Sequence, residues 1–178
     1  MQASAAYAGT MRHPERWLTF LRVVVGLWFL KSLLTKLTIG LAWGFLPVPM
    51  ATTRWVNLMP KLLTRYAAEN PIGWYREFLL DTVIPNSHVF AHLTAIGEVA
   101  IGISLTFGLL TVLGAFFGFF QVLFYGMAVQ HMSPGQQGFH VMLGAMMIAF
   151  FFARAGRWLG IDGWLVRRYP DSIWARLG

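Results

Sequence analysis

Long apolar runs alternate with short polar stretches along this chain. Four runs stand out, over residues 17–39, 88–107, 111–130 and 139–153. A helix needs about 20 mostly apolar residues to cross the hydrocarbon core of a bilayer, and the fourth run approaches that length only by borrowing a turn from its flanks. The pattern predicts an all-α membrane protein, a four-transmembrane-helix bundle that forms a single domain over residues 1–178.

The polar stretches between the runs predict how the helices are connected. Residues 40–49 and 131–138 are rich in glycine and proline, so both are predicted to be loops. Only residues 108–110 separate the second and third runs, which are therefore expected to form an antiparallel hairpin with a very tight turn. The third run also carries a stripe of glycines, Gly114, Gly118 and Gly126. Such a stripe lets a neighbouring helix approach closely.

The long first connection, residues 50–87, is not simply irregular. Apolar residues recur at helical spacing in two pieces, one from Thr52 to Tyr66 with a break at Pro60, and one that follows Asn70. Asn70 is predicted to be the N-cap of the second piece, because a proline suited to the first turn of a helix follows it. We expect two amphipathic helices lying at the membrane interface, outside the cytoplasm.

Composition supports a membrane protein and removes several classes of site. Hydrophobic residues make up 57% and charged residues 12% of the chain, whereas soluble domains have about 45–50% and about 25%. The chain has no cysteine, which excludes cysteine-ligated metals and iron–sulfur clusters held by this chain. The net charge of +7 is carried by residues that flank apolar runs, so no nucleic acid is expected as a partner.

Arginines are concentrated towards the two ends of the chain. Those on the side of the termini are Arg12, Arg16, Arg22, Arg154, Arg157, Arg167, Arg168 and Arg176. The long connection has fewer basic residues, and the 131–138 loop has no lysine or arginine. The positive-inside rule therefore predicts that both termini are cytoplasmic and that residues 154–178 form a basic cytoplasmic tail. We expect a multi-pass protein of a bacterial or archaeal cytoplasmic (inner) membrane.

Glu98 is the one carboxylate of the second run and lies near its middle. An acidic side chain at the centre of a span costs about 2.5–3.5 kcal/mol on insertion scales, so Glu98 is expected to face a partner or a cavity. Two interpretations stay open: it pairs with Lys31 or bonds Gln121 and fixes the bundle, or it transfers protons beside a substrate. Arg22 is interpreted as extending towards the cytoplasmic headgroups.

Four histidines are predicted near the outer face: His88, His92, His131 and His140. His88 and His92 are one helical turn apart and could bond a quinone carbonyl or ligate a metal, although each alone is more often an interfacial polar residue. We predict no metal site and no haem. The candidate quinone-binding residues are the four histidines together with Gln121, which has a depth similar to that of Glu98.

Three stretches of the chain carry motifs in a fixed order. They are Leu21 to Leu37, then Asn70 to Asn86 followed by Gly97 to Thr111, and finally Gly156 to Asp162. Together they resemble the DoxX family of membrane proteins, which includes the small DoxD subunit of thiosulfate:quinone oxidoreductase. The resemblance covers about residues 18–165 and implies a four-helix membrane bundle beside quinone redox chemistry. Its motif positions are Arg22, Gly26, Lys36, Glu98 and Asp162.

Two functional hypotheses follow, and both expect a lipid bilayer and other subunits as partners. In the first, the protein is a DoxX-like subunit of a quinone-linked oxidoreductase, passing electrons from a partner subunit to membrane quinone while Glu98 transfers protons. In the second, it is a non-catalytic structural or anchoring subunit of a larger respiratory or photosynthetic membrane complex. Its contact surfaces would then be the glycine stripe and residues 50–87. A chain without cysteine or a cofactor motif is not expected to be a complete enzyme.

Overall fold

The computed structural model describes residues 14–174. Residues 1–13 and 175–178 lie outside it, and with them the predicted contributions of Arg12 and Arg176 to the charge asymmetry. In chain order the elements are α1 Pro14–Leu30, α2 Ser32–Thr35, β1 Leu37–Ala42, β2 Leu46–Ala51, α3 Thr53–Ala68, α4 Gly73–Phe78, a π-helical turn Leu79–Val83, α5 Ser87–Phe107, α6 Thr111–Val129, α7 Pro134–Phe152, a 3-10 turn Ala155–Arg157 and α8 Ile161–Arg168.

Four stretches of the described residues are long and apolar enough to cross a membrane, as predicted. They are α1 with α2, then α5, α6 and α7. The fourth begins at Pro134, earlier than expected, because Ser133 caps it by accepting a hydrogen bond from Gln136 N–H at 3.2 Å. Proline is also well tolerated in the first turn of a helix. The loop prediction for 131–138 is therefore wrong for its second half.

A β-hairpin replaces the predicted end of the first span and the loop at 40–49. The helical part of that span ends at Thr35, and Leu37–Ala42 pairs with Leu46–Ala51 in an antiparallel ladder. Trp43 and Gly44 reverse the chain with φ values of 52° and 82°. The bundle is therefore not purely helical.

The hydrogen-bond phase of this hairpin explains why it tolerates two prolines. Thr52 N–H donates to Lys36 O at 2.8 Å at the base of the ladder. From there, hydrogen-bonded pairs alternate with non-hydrogen-bonded pairs, whose N–H and C=O groups point outward, away from the partner strand. Pro47 and Pro49 fall on outward-facing positions of β2. Because no ladder bond is lost at those positions, the prolines fit an edge strand.

Residues 50–87 contain the two predicted helices, α3 and α4, and then the π-helical turn. Their position at a membrane interface stays a prediction. Thr52 is the N-cap of α3, and its hydroxyl accepts a hydrogen bond from Trp55 N–H at 3.2 Å. The predicted break at Pro60 is wrong, since α3 continues through it to Ala68.

The long connection docks on α6. Asn70 is not the N-cap of α4, which is Ile72, and its side chain instead donates to Met127 O at 2.9 Å. The Tyr75 hydroxyl donates to Phe124 O at 2.7 Å. Burial raises the pKa of Tyr75 to about 12, because the phenolate would lose its hydration. These two bonds fix α4 against the membrane-spanning helices.

The glycine stripe of α6 is used inside the bundle. A side chain at Gly118 would meet Met147 of α7 at 2.9 Å, and one at Gly126 would meet His140 of α7 at 3.1 Å. Gly114 lies against α5. The predicted close helix approach is confirmed, but the neighbours belong to this chain. The stripe is therefore not the surface for another subunit that the structural hypothesis expected.

The bundle has two ends that differ in chemistry. The turn end contains the reversal Gly108–Leu110 between α5 and α6, and the hairpin end contains β1 and β2. At the turn end Asp162 is completely buried and accepts hydrogen bonds from Leu110 N–H at 2.7 Å and Thr111 N–H at 2.8 Å. Its own N–H donates to Gly108 O at 2.8 Å. Asp162 therefore caps the N-terminus of α6, where a negative charge is favourable.

Arg22 is the second buried charge at the turn end. It is completely buried, and its Nη1 donates to Leu105 O in the last turn of α5, where the helix dipole favours a positive charge. The predicted extension of Arg22 towards the headgroups is wrong. Gly26 explains how the guanidinium gets so close, since a side chain there would collide with the backbone of Thr106. The tight turn predicted at 108–110 is thus held by one charge on each side.

Candidate functional site: a cavity at the hairpin end

A cavity of about 840 Å³ lies at the hairpin end, enclosed by the first span, the long connection, α5, α6 and α7. Aromatic side chains dominate its walls and include Trp28, Trp55, Phe90, Phe124, Tyr125 and Phe139. Five of the lining residues are exposed: Trp28, Lys31, Phe124, Gly135 and Gln136. Four of them belong to the first span and α7, so the cavity opens mainly between these two elements.

Glu98 is the only carboxylate among the described residues that line the cavity, and it is 5% exposed. Its Oε1 accepts hydrogen bonds from Lys36 Nζ at 2.7 Å and from the Tyr125 hydroxyl at 2.6 Å. Its Oε2 accepts a hydrogen bond from the Ser32 hydroxyl. Three donors, one of them cationic, satisfy the buried carboxylate. An acid inside a span is tolerated when it is paired in this way.

Lys36, not Lys31, is the basic partner of Glu98, so the predicted Lys31 pairing is wrong. The helix ends at Thr35, which leaves Lys36 at the junction with β1, within reach of Glu98 and 4.1 Å from the centre of the Trp55 ring. Lys31 is exposed, with its Nζ 3.8 Å from the centre of the Trp28 ring. One lysine therefore lies beside the carboxylate and the other lies at the opening.

Gln121 reaches Glu98 through Tyr125 and not directly. Its Nε2 donates to the Tyr125 hydroxyl at 3.2 Å and more weakly to Thr94 O at 3.4 Å. The Thr94 hydroxyl in turn accepts a hydrogen bond from Trp55 Nε1 at 3.2 Å. This patch of α5 therefore joins the long connection, the carboxylate and α6 in one network.

The four histidines predicted to bind quinone do not lie together. His140 lines the cavity, and its Nδ1 lies 2.8 Å from Gln136 O. Within the part of the chain that the structure describes, His88, His92 and His131 are not among the lining residues. His88 and His92 contact each other with ring centres 4.6 Å apart, and the buried Nδ1 of His131 has no hydrogen-bond partner among residues 14–174.

The five motif positions of the predicted DoxX resemblance fall into two groups. Lys36 and Glu98 form the ion pair at the cavity. Arg22, Gly26 and Asp162 lie at the turn end, where they hold backbone groups in place. Only the first pair is positioned to touch a ligand in the cavity.

Sequence reasoning missed three members of the network, Tyr125, Ser32 and Trp55. Tyr125 follows Gln121 by one helical turn, so both polar groups share a face of an otherwise apolar helix, and that spacing was a usable signal. Ser32 and Trp55 belong to different elements from Glu98 and carried no local signal. Their contacts depend on how the first span and α3 pack.

The residues present fit a flat ring that carries hydrogen-bond acceptors. Aromatic walls pack against ring faces, and Lys36, Tyr125 and Gln121 supply N–H or O–H donors. The volume lies in the range of about 300–1,000 Å³ typical of small-molecule sites. Over residues 14–174, no group of three or more His, Asp or Glu side chains is placed to hold a metal ion.

Comparisons of the chain with family models, with curated proteins and with solved structures found no match in any of the three.

Proposed function

We propose that the protein is a membrane subunit of a quinone-linked oxidoreductase, which binds the quinone ring in the cavity and works with a partner subunit that brings electrons. The observation that carries the proposal is the Glu98 network on the wall of an aromatic cavity. A buried carboxylate bonded to two groups that can give protons is typical of proton-transfer sites.

Reduction of a quinone to a hydroquinone takes two electrons and two protons. In this proposal the electrons come from a redox cofactor of the partner, and this chain itself has no cysteine to hold an iron–sulfur cluster. Lys36 and Tyr125 are the proton donors, and each is bonded to the same oxygen of Glu98. Once either group has given its proton to the quinone, the Glu98 carboxylate takes up a proton from water at the cavity opening and passes it to that group, while Gln121 orients the Tyr125 hydroxyl.

The test is the quinone content of the protein purified in lipid nanodiscs, measured by mass spectrometry of the extracted lipid. We expect bound quinone in the native protein and about tenfold less in Glu98→Gln, because Glu98 positions Lys36, and a hydrogen bond from a charged donor such as Lys36 to a ring carbonyl contributes about 1.5–3 kcal/mol. His92→Ala is the matched control, since His92 lies outside the described cavity lining. Quinone at the background of empty nanodiscs, or equal retention in all three proteins, contradicts the proposal.

One observation favours the structural role as a second candidate function. The hairpin exposes Ile39 by 76%, Trp43 by 83% and Phe45 by 75%, and no charged residue lies between Lys36 and Arg54. Exposed apolar surface of this kind is typical of contacts with another protein or with lipid. Recovery of the protein in a large assembly whose activity survives Glu98→Gln would favour this role over the first.

A further inference from the structure

A second space lies along the seam between α5 and α6. It is a groove of about 610 Å³ that runs from Gln121 towards the turn end as far as Leu110. That separation corresponds to about 16 Å along the axis of α6. Small residues on α5, including Gly97 and Ala100, leave the space open, and its walls are almost entirely apolar.

The groove opens on the outside of the bundle. Two of the residues that line it, Ile103 and Phe117, have 40% and 60% of their surface exposed. Both belong to helices that are apolar enough to span a membrane. In a bilayer, lipid is what surrounds such a surface. The groove is therefore a place where an apolar chain can lie beside the helices without leaving the hydrocarbon.

The Gln121 side chain lies between this groove and the cavity, because it lines both. Its Nε2 bonds Tyr125 and Thr94 on the cavity side. Its Oε1 lies over Gly97 in the groove, where an added side-chain carbon would come within 3.3 Å of it. A single side chain therefore separates the polar network from the apolar groove, and a glycine leaves room for it.

We infer that the ligand of the cavity is a ring with a long apolar tail, and that the tail passes Gln121 and lies in the α5–α6 groove. The inference rests on the proposed function and adds the class of quinone and its route. The opening between the first span and α7 has an exposed aromatic side chain, Trp28, but an apolar tail there would also pass the exposed polar groups of Lys31 and Gln136. A tail that must stay in hydrocarbon is more stable in the groove.

The test uses a benzoquinone with a decyl tail that ends in a photoreactive diazirine, crosslinked to the protein in nanodiscs and mapped by mass spectrometry. We expect labels on Ile103, Leu113 or Phe117 that an excess of the tail-less ring removes. Ala100→Trp fills the groove from an exposed position and should lower labelling about tenfold, as expected when a few methylenes lose their burial. Val141→Trp, at a site on α7 that is 72% exposed, should leave labelling unchanged.

The outcomes separate this inference from the proposed function. Labels at Trp28 or Phe139 that the tail-less ring removes would leave ring binding intact and overturn the groove. Labels on the groove that the tail-less ring does not remove would mean that the groove takes any lipid chain, which also overturns the inference. If no label anywhere responds to the tail-less ring, the cavity binds no quinone ring and the proposed function fails as well.

Discussion

At the turn end of the bundle, Asp162 and Arg22 are completely buried and bind backbone groups, whereas at the hairpin end Glu98 and Lys36 bind side chains on the wall of a cavity. Backbone N–H and C=O groups at helix ends have no other partner, so a charge that caps them is committed to holding the chain. Side-chain donors such as Lys36 and Tyr125 can exchange one partner for another. The comparison indicates that the first pair stabilises the fold and the second is available for chemistry.

The largest effect should come from the turn end. Asp162→Asn leaves Arg22 buried without a nearby charge and weakens the cap of α6, so the free energy of unfolding should fall by about 3–5 kcal/mol. Unfolding in detergent, followed by circular dichroism during an SDS titration, measures it. Asp171→Asn changes an exposed acid of the same tail and should have no measurable effect. If Asp162→Asn is as stable as Asp171→Asn, the cap that Asp162 forms on α6 does not stabilise the fold.

A smaller effect on stability is expected at the hairpin end. The Lys36 side chain is 20% exposed, so water can solvate it when Glu98 becomes Gln, and we expect a loss of about 1–2 kcal/mol in the same titration. The double variant with Lys36→Met measures the coupling between the two groups. Lys61→Met, at an exposed site on α3, is the control. A loss from Glu98→Gln equal to that from Asp162→Asn would remove the distinction between the two ends.

The smallest effect concerns pH and the docking of the long connection. An unfolded tyrosine ionises near pH 10, whereas the pKa of Tyr75 is about 12 in the folded protein. The unfolded state therefore loses its proton first, so the stability from Tyr75 is complete below about pH 10 and declines as the pH rises towards 12. Tyr75→Phe should flatten this alkaline decline relative to the native protein, measured as thermal unfolding across that range. An unchanged slope would mean that other groups cause it.

Hydropathy predicted the four spans because the length of an apolar run is a local property that the bilayer reads directly. It did not predict the hairpin, since Gly40, Pro47 and Pro49 are typical of loops unless the pairing of distant residues is known. For a similar reason, the end of the first span and the start of the fourth differ from the predicted residues. Caps and strand pairing depend on a few residues that hydropathy averages away.

The candidate site was predicted only in part. Glu98 stood out as an acid in the middle of a span. Gln121 was predicted at a similar depth and His140 near the outer face, and both line the cavity. Its lysine partner was missed because Lys36 reaches Glu98 only if the helix stops at Thr35. Comparing the depths of residues along the predicted spans cannot show where a helix stops. It also cannot show that His140 faces the cavity while the other histidines lie on other faces.

The two prolines of the hairpin have a consequence during synthesis as well as in the folded protein. An uncharged strand with a free edge is a template on which a second chain can assemble while the protein awaits insertion. Pro47 and Pro49 remove two of the N–H groups that such a second strand would have to bind. The hairpin can therefore be apolar enough for a membrane surface and still resist edge-to-edge aggregation.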